Sequence, residues 1–259
     1  MERGEIRLKN ETLAELPAYL ITRGIPLPPG AVREPRQVRV VDAKGNPLAA
    51  EGKVLQRRPD GSIEWLLMDI LKPLGGQENT SIFIEIKPQR KVPVAHPVTL
   101  RRQGKEWTLS NGLSTVTVSE KGGTLIQRLV LNGREIVRPG TCVDLEVSDG
   151  GGKIHRASQF GPFSLRILDQ NRLRTTLALE GKHRARDGAT FLDFTLRFTL
   201  TANSPDLKME HTFYCREPRE GIIRVRFIRL VIPTTMDPAA VKLVRQLYHG
   251  ADCRQRNVT

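Results

Sequence analysis

Residues 58–70 read Arg-Pro-Asp-Gly-Ser-Ile-Glu-Trp-Leu-Leu-Met-Asp-Ile, a turn signal followed closely by an apolar run. Proline at position 59 presets the backbone φ angle that a tight turn needs, and glycine at position 61 accepts a positive φ. Residues 63–70 are mostly apolar, which predicts a strand. Within that strand Trp65 alternates with Ile63 and Leu67, so we expect its side chain in the core.

Similar strands are predicted along most of the chain. Residues 37–41 are rich in valine, and Ile82, Ile84 and Ile86 share one face of a run over 81–87. Further strands are predicted at 53–57, 107–109, 115–119, 125–131, 172–179, 191–201, 207–215 and 222–232. Turn signals recur roughly every ten to fifteen residues, as in sandwiches and barrels. The sequence therefore predicts an all-β fold.

Two segments interrupt this pattern. Residues 88–98 contain three prolines and no periodicity, which predicts a linker between a domain over 1–92 and a second domain over 98–259. Asp237-Pro238 fits the start of a helix running towards Tyr248, but the same stretch also fits a strand. The sequence leaves both alternatives open.

The charge of the chain is unevenly distributed. The net charge is +13, with +3 over residues 1–97 and +10 over the remainder. A basic second half predicts affinity for anions, with nucleic acid, an anionic membrane and an acidic polysaccharide as candidates. A basic, arginine-rich proteome in the host would explain the same charge without a ligand.

Several classes of function lack their motifs. The three cysteines form no CxxC pair, and the histidines show no metal-ligand spacing, so we expect neither a metal site nor a cofactor. No phosphate-binding glycine loop and no nucleophile elbow is present. Nucleic-acid binding would need a recognition helix, a zinc module or interleaved aromatics, and these are missing. The N-terminus has no apolar run of signal-peptide length and no membrane span is expected, which predicts a cytoplasmic protein.

Two stretches resemble a known family. Gly24-Ile-Pro-Leu-Pro-Pro-Gly-Ala-Val32 and the segment over 58–70 are similar to the N-terminal barrel domain of the exo-rhamnogalacturonan lyase family and its bacterial relatives. Leu109-Ser-Asn-Gly112, Gly122-Gly123 and Leu131-Asn-Gly-Arg-Glu135 resemble the opening of the central β-sandwich of that family. The resemblance implies a small N-terminal β-barrel followed by a larger antiparallel β-sandwich.

The resemblance also implies a division of labour. In that family a helical toroid follows the two β domains and holds most of the catalytic machinery, and the sequence up to Thr259 contains no toroid. We therefore expect the non-catalytic N-terminal portion, or a fragment, of a polysaccharide-lyase-like protein. Its expected partners are an acidic pectic glycan of the rhamnogalacturonan type and a helical catalytic domain encoded downstream.

A uronate lyase must neutralise a carboxylate, remove a proton and protonate the leaving oxygen. On a strand, Arg224 and Arg226 would point to one face and Arg229 to the other. Two guanidinium groups side by side can hold a carboxylate, although a solvated strand face would look the same. Asp144 and Glu146 share a strand face, as many acid pairs do.

Two further residues are candidates for ligand contact. His211 would share a strand face with Met209 and Phe213. It could act as a base or bind a sugar hydroxyl, or it could be only a half-buried histidine of the sheet. Trp107 stands before a hairpin signal, where it could stack on a sugar or fill a domain interface.

Three alternatives to a glycan-binding portion remain. A stand-alone enzyme of the mutarotase type would use His211 with a carboxylate, and would place it on an open concave face beside another histidine or a glutamate. A structural docking module would expose an apolar patch and have no ligand cleft. A nucleic-acid binder would lose affinity steeply with salt.

Overall fold

A computed structural model describes residues 4–89, 91–215, 223–234, 243–249 and 252–258. These residues form twenty strands, and a short 3₁₀ turn at Pro35–Gln37 is the only helical element among them. The all-β prediction is therefore confirmed.

Six strands build the N-terminal unit. They are β1 (Gly4–Lys9), β2 (Leu16–Pro26), β3 (Val38–Asp42), β4 (Ala49–Arg57), β5 (Ile63–Leu74) and β6 (Asn79–Ile86). Where the sequence predicts a small barrel, these strands pair in two three-stranded antiparallel sheets, with the orders β1-β6-β3 and β2-β5-β4. The alternating apolar residues of these strands meet in one core, which includes Val38, Val40, Leu66, Met68 and Ile82.

The turn before β5 has the predicted chemistry. Gly61 has a φ of +81°, and its N–H donates to the carbonyl oxygen of Arg58 at 2.9 Å. The Asp60 carboxylate closes the turn by accepting bonds from the backbone N–H and the hydroxyl of Ser62. A residue with a side chain at position 61 would be strained in this left-handed conformation.

The prediction that Trp65 lies in the core is wrong, because 41% of its surface is exposed. The register between β4 and β5 shifts between Gln56 and Arg57, so that Ile63 and Leu66 both point into the core. Such a β-bulge resets the inside–outside alternation of a strand. Trp65 and Leu67 consequently lie on the outward face of β5.

Twelve strands build the second unit. They are β7 (Thr99–Gln103), β8 (Glu106–Ser110), β9 (Thr115–Ser119), β10 (Arg128–Leu131), β11 (Arg134–Val137), β12 (Asp144–Asp149), β13 (Ile154–Arg156), β14 (Ser164–Gln170), β15 (Arg174–Arg184), β16 (Thr190–Thr201), β17 (Leu207–Tyr214) and β18 (Val225–Val231). One sheet has the order β11-β10-β9-β8-β7. The other has the order β17-β16-β15-β13-β12-β18, with β14 also paired to β15.

The two sheets of this unit enclose a second core, as a sandwich requires. Phe194, Leu196 and Phe198 alternate along β16. They lie opposite Gly181, Leu179 and Leu177 of β15, respectively. They pack with apolar residues of the five-stranded sheet, including Leu109, Val116 and Val118. Each of the large side chains is fully buried and contributes about 2 kcal/mol to folding.

The stretch with two open alternatives is settled in part. Residues 243–249 form a strand, β19 (Leu243–His249), which pairs antiparallel with β20 (Asp252–Val258). The proposed helix start at Asp237-Pro238 lies outside the described residues.

The junction between the two units is fixed by polar contacts. The buried carboxylate of Asp69 accepts hydrogen bonds from Thr22 on β2 at 2.6 Å, from Asn171 at 2.9 Å and from Arg174 at 3.2 Å. Arg172 binds Glu51 and donates to the carbonyl oxygen of Val92 in the predicted linker. Ala49 and Leu71 of the N-terminal unit join the apolar core of the sandwich.

We expect Asp69→Ala to destabilise the whole described fold. The substitution leaves the largely buried guanidinium of Arg174 and the amide of Asn171 without their shared acceptor, at a cost of about 3 kcal/mol. Urea unfolding followed by tryptophan fluorescence measures the loss. Asp187→Ala, at an exposed carboxylate in the β15–β16 turn, is the control. Equal midpoints for the two variants would contradict the role of Asp69.

Candidate functional site

A row of charged side chains crosses four neighbouring strands of the larger sandwich sheet. Glu146 on β12 lies opposite Arg229 on β18 and opposite Arg156 on β13, and Arg156 lies opposite Arg184 on β15. These four residues, called the arginine row below, lie on the sheet face opposite to the apolar core, since Leu145 and Leu179 point to the other side.

Glu146 is the centre of the row. Its side chain is 8% exposed and accepts a hydrogen bond from Arg156 Nε at 2.7 Å and one from Arg229 Nε at 2.5 Å. One carboxylate thus holds two guanidinium groups, and this triplet carries a net charge of about +1. The contact fixes both arginines in orientation, since an Arg–carboxylate pair is directional.

Both arginines keep donors that point elsewhere. Among the described residues, Nη1 and Nη2 of Arg156 and Nη1 of Arg229 have no hydrogen-bond partner. Arg184 extends the row, with a buried Nε that lacks a partner in the described part of the chain and with its guanidinium carbon 5.0 Å from the Phe160 ring centre. The row therefore presents unused N–H groups in a positively charged setting.

The family comparison agrees with this fold. A family model described as PcRGLX-like protein central beta sandwich domain matches residues 98–237, which is more than half of the chain. The chain belongs to this family. The finding confirms the resemblance to exo-rhamnogalacturonan lyase-like proteins that the sequence indicates.

The remaining comparisons add little. No curated protein matches the chain. Among solved structures, an alpha-mannosidase from Enterococcus faecalis V583 superposes with a TM-score of 0.43 at 9% sequence identity, over 82% of this chain and 30% of that chain. This likeness carries no argument about function. The PcRGLX-like chain spans about 30% of the length of that protein.

The predicted arginine pair lies beside the row. Arg224 and Arg226 both pack against the turn at 150–152, where Arg226 Nε donates to the carbonyl oxygen of Gly150 at 3.1 Å. The Arg226 guanidinium lies over Gly152, whose φ of +89° is a left-handed conformation that favours glycine. Arg229 is on β18 and belongs to the row. A ligand role for Arg224 and Arg226 stays a prediction.

His211 lies on the opposite side of the sheet from the arginine row. Its ring centre is 5.8 Å from that of Phe213 and 6.1 Å from that of His183. His211 lies opposite Leu196 of β16, and the side chain of Leu196 points into the core, so His211 is on the core side of the sheet. Burial lowers the pKa of His211, and burial lowers that of His183 to about 4. Both Nε2 atoms are buried without a partner among the described residues. No metal-binding cluster is found within that part of the chain.

Trp107 has little free ring surface. It is 8% exposed, its Nε1 donates to Glu120 at 2.8 Å, and the Arg102 guanidinium lies 4.7 Å from the ring centre. This arrangement fixes the first hairpin of the sandwich and leaves no open face for stacking.

The described residues also include no helix that is long and apolar enough to span a membrane.

Sequence reasoning missed Arg156 and Arg184. The acid pair Asp144 and Glu146 is visible in the sequence, but β13 is only three residues long and gives no periodicity. Only strand pairing brings Arg156 between Glu146 and Arg184. The sequence held one indirect signal for these arginines. Two acids that alternate on a buried strand require cations on the neighbouring strands.

The two acids of β12 have opposite pKa shifts. Burial raises the pKa of Asp144, which is held by the backbone N–H and hydroxyl of Ser158. Burial alone would also raise the pKa of Glu146, but the hydrogen bonds from Arg156 and Arg229 outweigh it and keep this pKa below its ordinary value of 4.5. Glu146 is therefore the ionised anchor of the row.

We expect Glu146→Gln to lower the free energy of unfolding by about 2 kcal/mol at pH 7, because two guanidinium groups lose a charged acceptor. Because the pKa of Glu146 is lower in the folded state than in the unfolded state, its ionised carboxylate stabilises the fold above pH 4.5. This contribution is lost as the pH falls through the folded-state pKa. The difference from wild type should thus shrink below pH 4.5 in urea unfolding.

Asp144→Asn provides the contrasting control for this pH series. Because the pKa of Asp144 is higher in the folded state, its protonated carboxyl group stabilises the fold fully below pH 3.8. This contribution is lost as the pH rises through the folded-state pKa. The variant should therefore be at least as stable as wild type at pH 7. A loss for Glu146→Gln that does not change with pH would contradict its assignment as an ionised anchor.

Proposed function

We propose that this chain is a non-catalytic glycan-binding portion of a polysaccharide-lyase-like protein, and that the arginine row binds carboxylates of an acidic pectic glycan of the rhamnogalacturonan type. The carrying observation is the geometry around Glu146. One buried carboxylate orients two arginines, and both Nη groups of Arg156 and Nη1 of Arg229 have no hydrogen-bond partner among the described residues.

The chemistry of the row suits a sugar acid. A carboxylate ligand would take two N–H donors from one guanidinium, which is the geometry that arginine favours. The side chain of Arg229 is 55% exposed and that of Arg156 is 29% exposed, so both can be reached from solvent. Because the guanidinium groups are already ordered by Glu146, binding would cost little side-chain entropy.

An aromatic ring stands beside the row. Phe227 is 37% exposed, and its ring lies 4.9 Å from the guanidinium carbon of Arg229. Sugar rings present an apolar C–H face, for which an exposed aromatic ring is a suitable surface. A uronate could therefore place its carboxylate on Arg229 and its ring on Phe227.

The distribution of titratable groups supports a binding role over a catalytic one. Within the described residues, the acids next to the row are Glu146, which is tied to two arginines, and Asp144, which is buried against Ser158. His211 is on the opposite face of the sheet. No free base stands beside the arginine donors in this part of the chain, so the proton transfer of a lyase would need groups from a helical partner domain.

One observation favours a second candidate, a docking module. Ile223, Val225, Phe227 and Leu230 are each about 37–40% exposed along or beside the edge strand β18. Exposed apolar residues on an edge strand are typical of a surface that another chain or domain covers. The helical catalytic domain that the resemblance implies would be such a partner.

We expect the protein to bind oligogalacturonides or rhamnogalacturonan oligosaccharides, and Arg229→Ala to weaken binding about tenfold through loss of a charged hydrogen bond. Isothermal titration calorimetry at low and high salt measures the affinity, which should fall as salt rises. Absorbance of the unsaturated product, recorded on the same samples, should stay at baseline.

Arg128→Ala is the matched control, since Arg128 pairs with Glu135 on the other sheet of the sandwich and is similarly exposed. Arg226→Ala tests whether the turn at 150–152 extends the site. Equal affinities for wild type and Arg229→Ala would refute the row as the binding site. Product formation would refute the non-catalytic role.

A further inference from the structure

The two tryptophans of the chain are in opposite environments. Trp107 is buried, whereas Trp65 exposes 41% of its surface. The Trp65 ring lies over Gly24 of the neighbouring strand β2, with Cε3 and Cζ3 only 3.7 and 3.8 Å from the position that a Cβ on Gly24 would occupy. The missing side chain at position 24 lets one side of the indole lie against the sheet while the rest of its surface faces solvent.

A cavity of about 410 Å³ lies further along the same face of the sheet, where Leu67, the next outward residue of β5 after Trp65, and Lys53 of β4 form part of its lining. Exposure along the outward face of β5 falls from Trp65 through the half-buried Leu67 to Asp69, which is buried at the junction with the sandwich. The second wall is the β14–β15 segment of the sandwich, including Ile167, which is 42% exposed. The cavity thus lies between the two units, where ligand sites are common.

The polar groups of this cavity are fixed by one another. Lys53 Nζ lies 2.8 Å from Asp169, and Arg174 contacts Asp169 and Asp69 at 3.6 and 3.2 Å. The lining acids Glu51, Asp69 and Asp169 outnumber the bases Lys53 and Arg174. The cavity therefore offers oriented donors and acceptors without the excess positive charge that would attract an anion.

We propose that Trp65 and the junction cavity form a second glycan site, which binds a neutral pyranose unit. The indole stacks on the apolar face of the sugar ring, and Lys53 and Asp169 exchange hydrogen bonds with its hydroxyls. An exposed aromatic ring beside a polar cavity of this size matches a single sugar or a short oligosaccharide better than an apolar ligand. The site goes beyond the proposed function, since it uses neither the arginine row nor a charged sugar.

The test uses the full chain labelled with 5-fluorotryptophan. Its two tryptophans give two ¹⁹F NMR signals, and Trp65→Phe assigns them by removing one. Neutral probes are hexasaccharides of galactan, mannan and glucan, together with free rhamnose, each at millimolar concentration. We expect at least one probe to shift the Trp65 signal while the Trp107 signal stays in place.

Two variants make the result specific. Lys53→Ala should weaken binding of the active probe several-fold without unfolding, because its side chain is 59% exposed and only its tip contacts Asp169. Tyr19→Ala removes an exposed aromatic residue outside the cavity and should leave the affinity unchanged. No shift with any neutral probe, or a shift that Lys53→Ala does not affect, would overturn the proposal.

The arginine row is tested separately on the same sample. An oligogalacturonide should leave the Trp65 signal in place, and Arg229→Ala should not change the response to neutral probes. The two proposals can therefore be refuted independently of each other. A Trp65 shift with oligogalacturonide alone would assign the cavity to acidic sugars and overturn the neutral-sugar proposal.

Discussion

The buried carboxylate of Asp69 is the constraint on which the relation of the two units depends. It accepts hydrogen bonds from Thr22 on one side and from Asn171 and Arg174 on the other. A buried charge is costly unless all its acceptor positions are used, so the N-terminal unit has to sit where these donors converge. Asn171 in turn holds the backbone N–H groups of Leu173 and Arg174, at the start of β15.

Strand β15 carries this constraint into the sandwich. It pairs with β13, β14 and β16, and its two faces serve different purposes. Leu177 and Leu179 on one face hold the sandwich together, while Arg184 at the far end belongs to the arginine row on the other face. Because a strand alternates its side chains strictly, building the apolar core also fixes which charged groups meet on the outer face.

The two proposed sites differ in their net charge. Around Glu146, two guanidinium groups share one carboxylate, so positive charge remains for a ligand. In the junction cavity, Lys53 and Arg174 are matched by Asp169 and Asp69, so only hydrogen-bonding capacity remains. A glycan that alternates acidic and neutral units would have a use for both kinds of surface. The exposed apolar residues along β18 are the observation behind the second candidate function, a docking surface.

The sequence by itself determined the all-β class, the turn at Gly61 and the strands with strong alternation, such as β9 and β16, because these depend on local backbone preference and on a period of two. It also indicated the family through motifs in both halves. It could not determine that Trp65 is exposed, since a one-residue bulge against β4 reverses the alternation. It could not assemble the arginine row either. Arg156 and Arg229 meet Glu146, and Arg184 meets Arg156, only through strand pairing, which is set by tertiary packing.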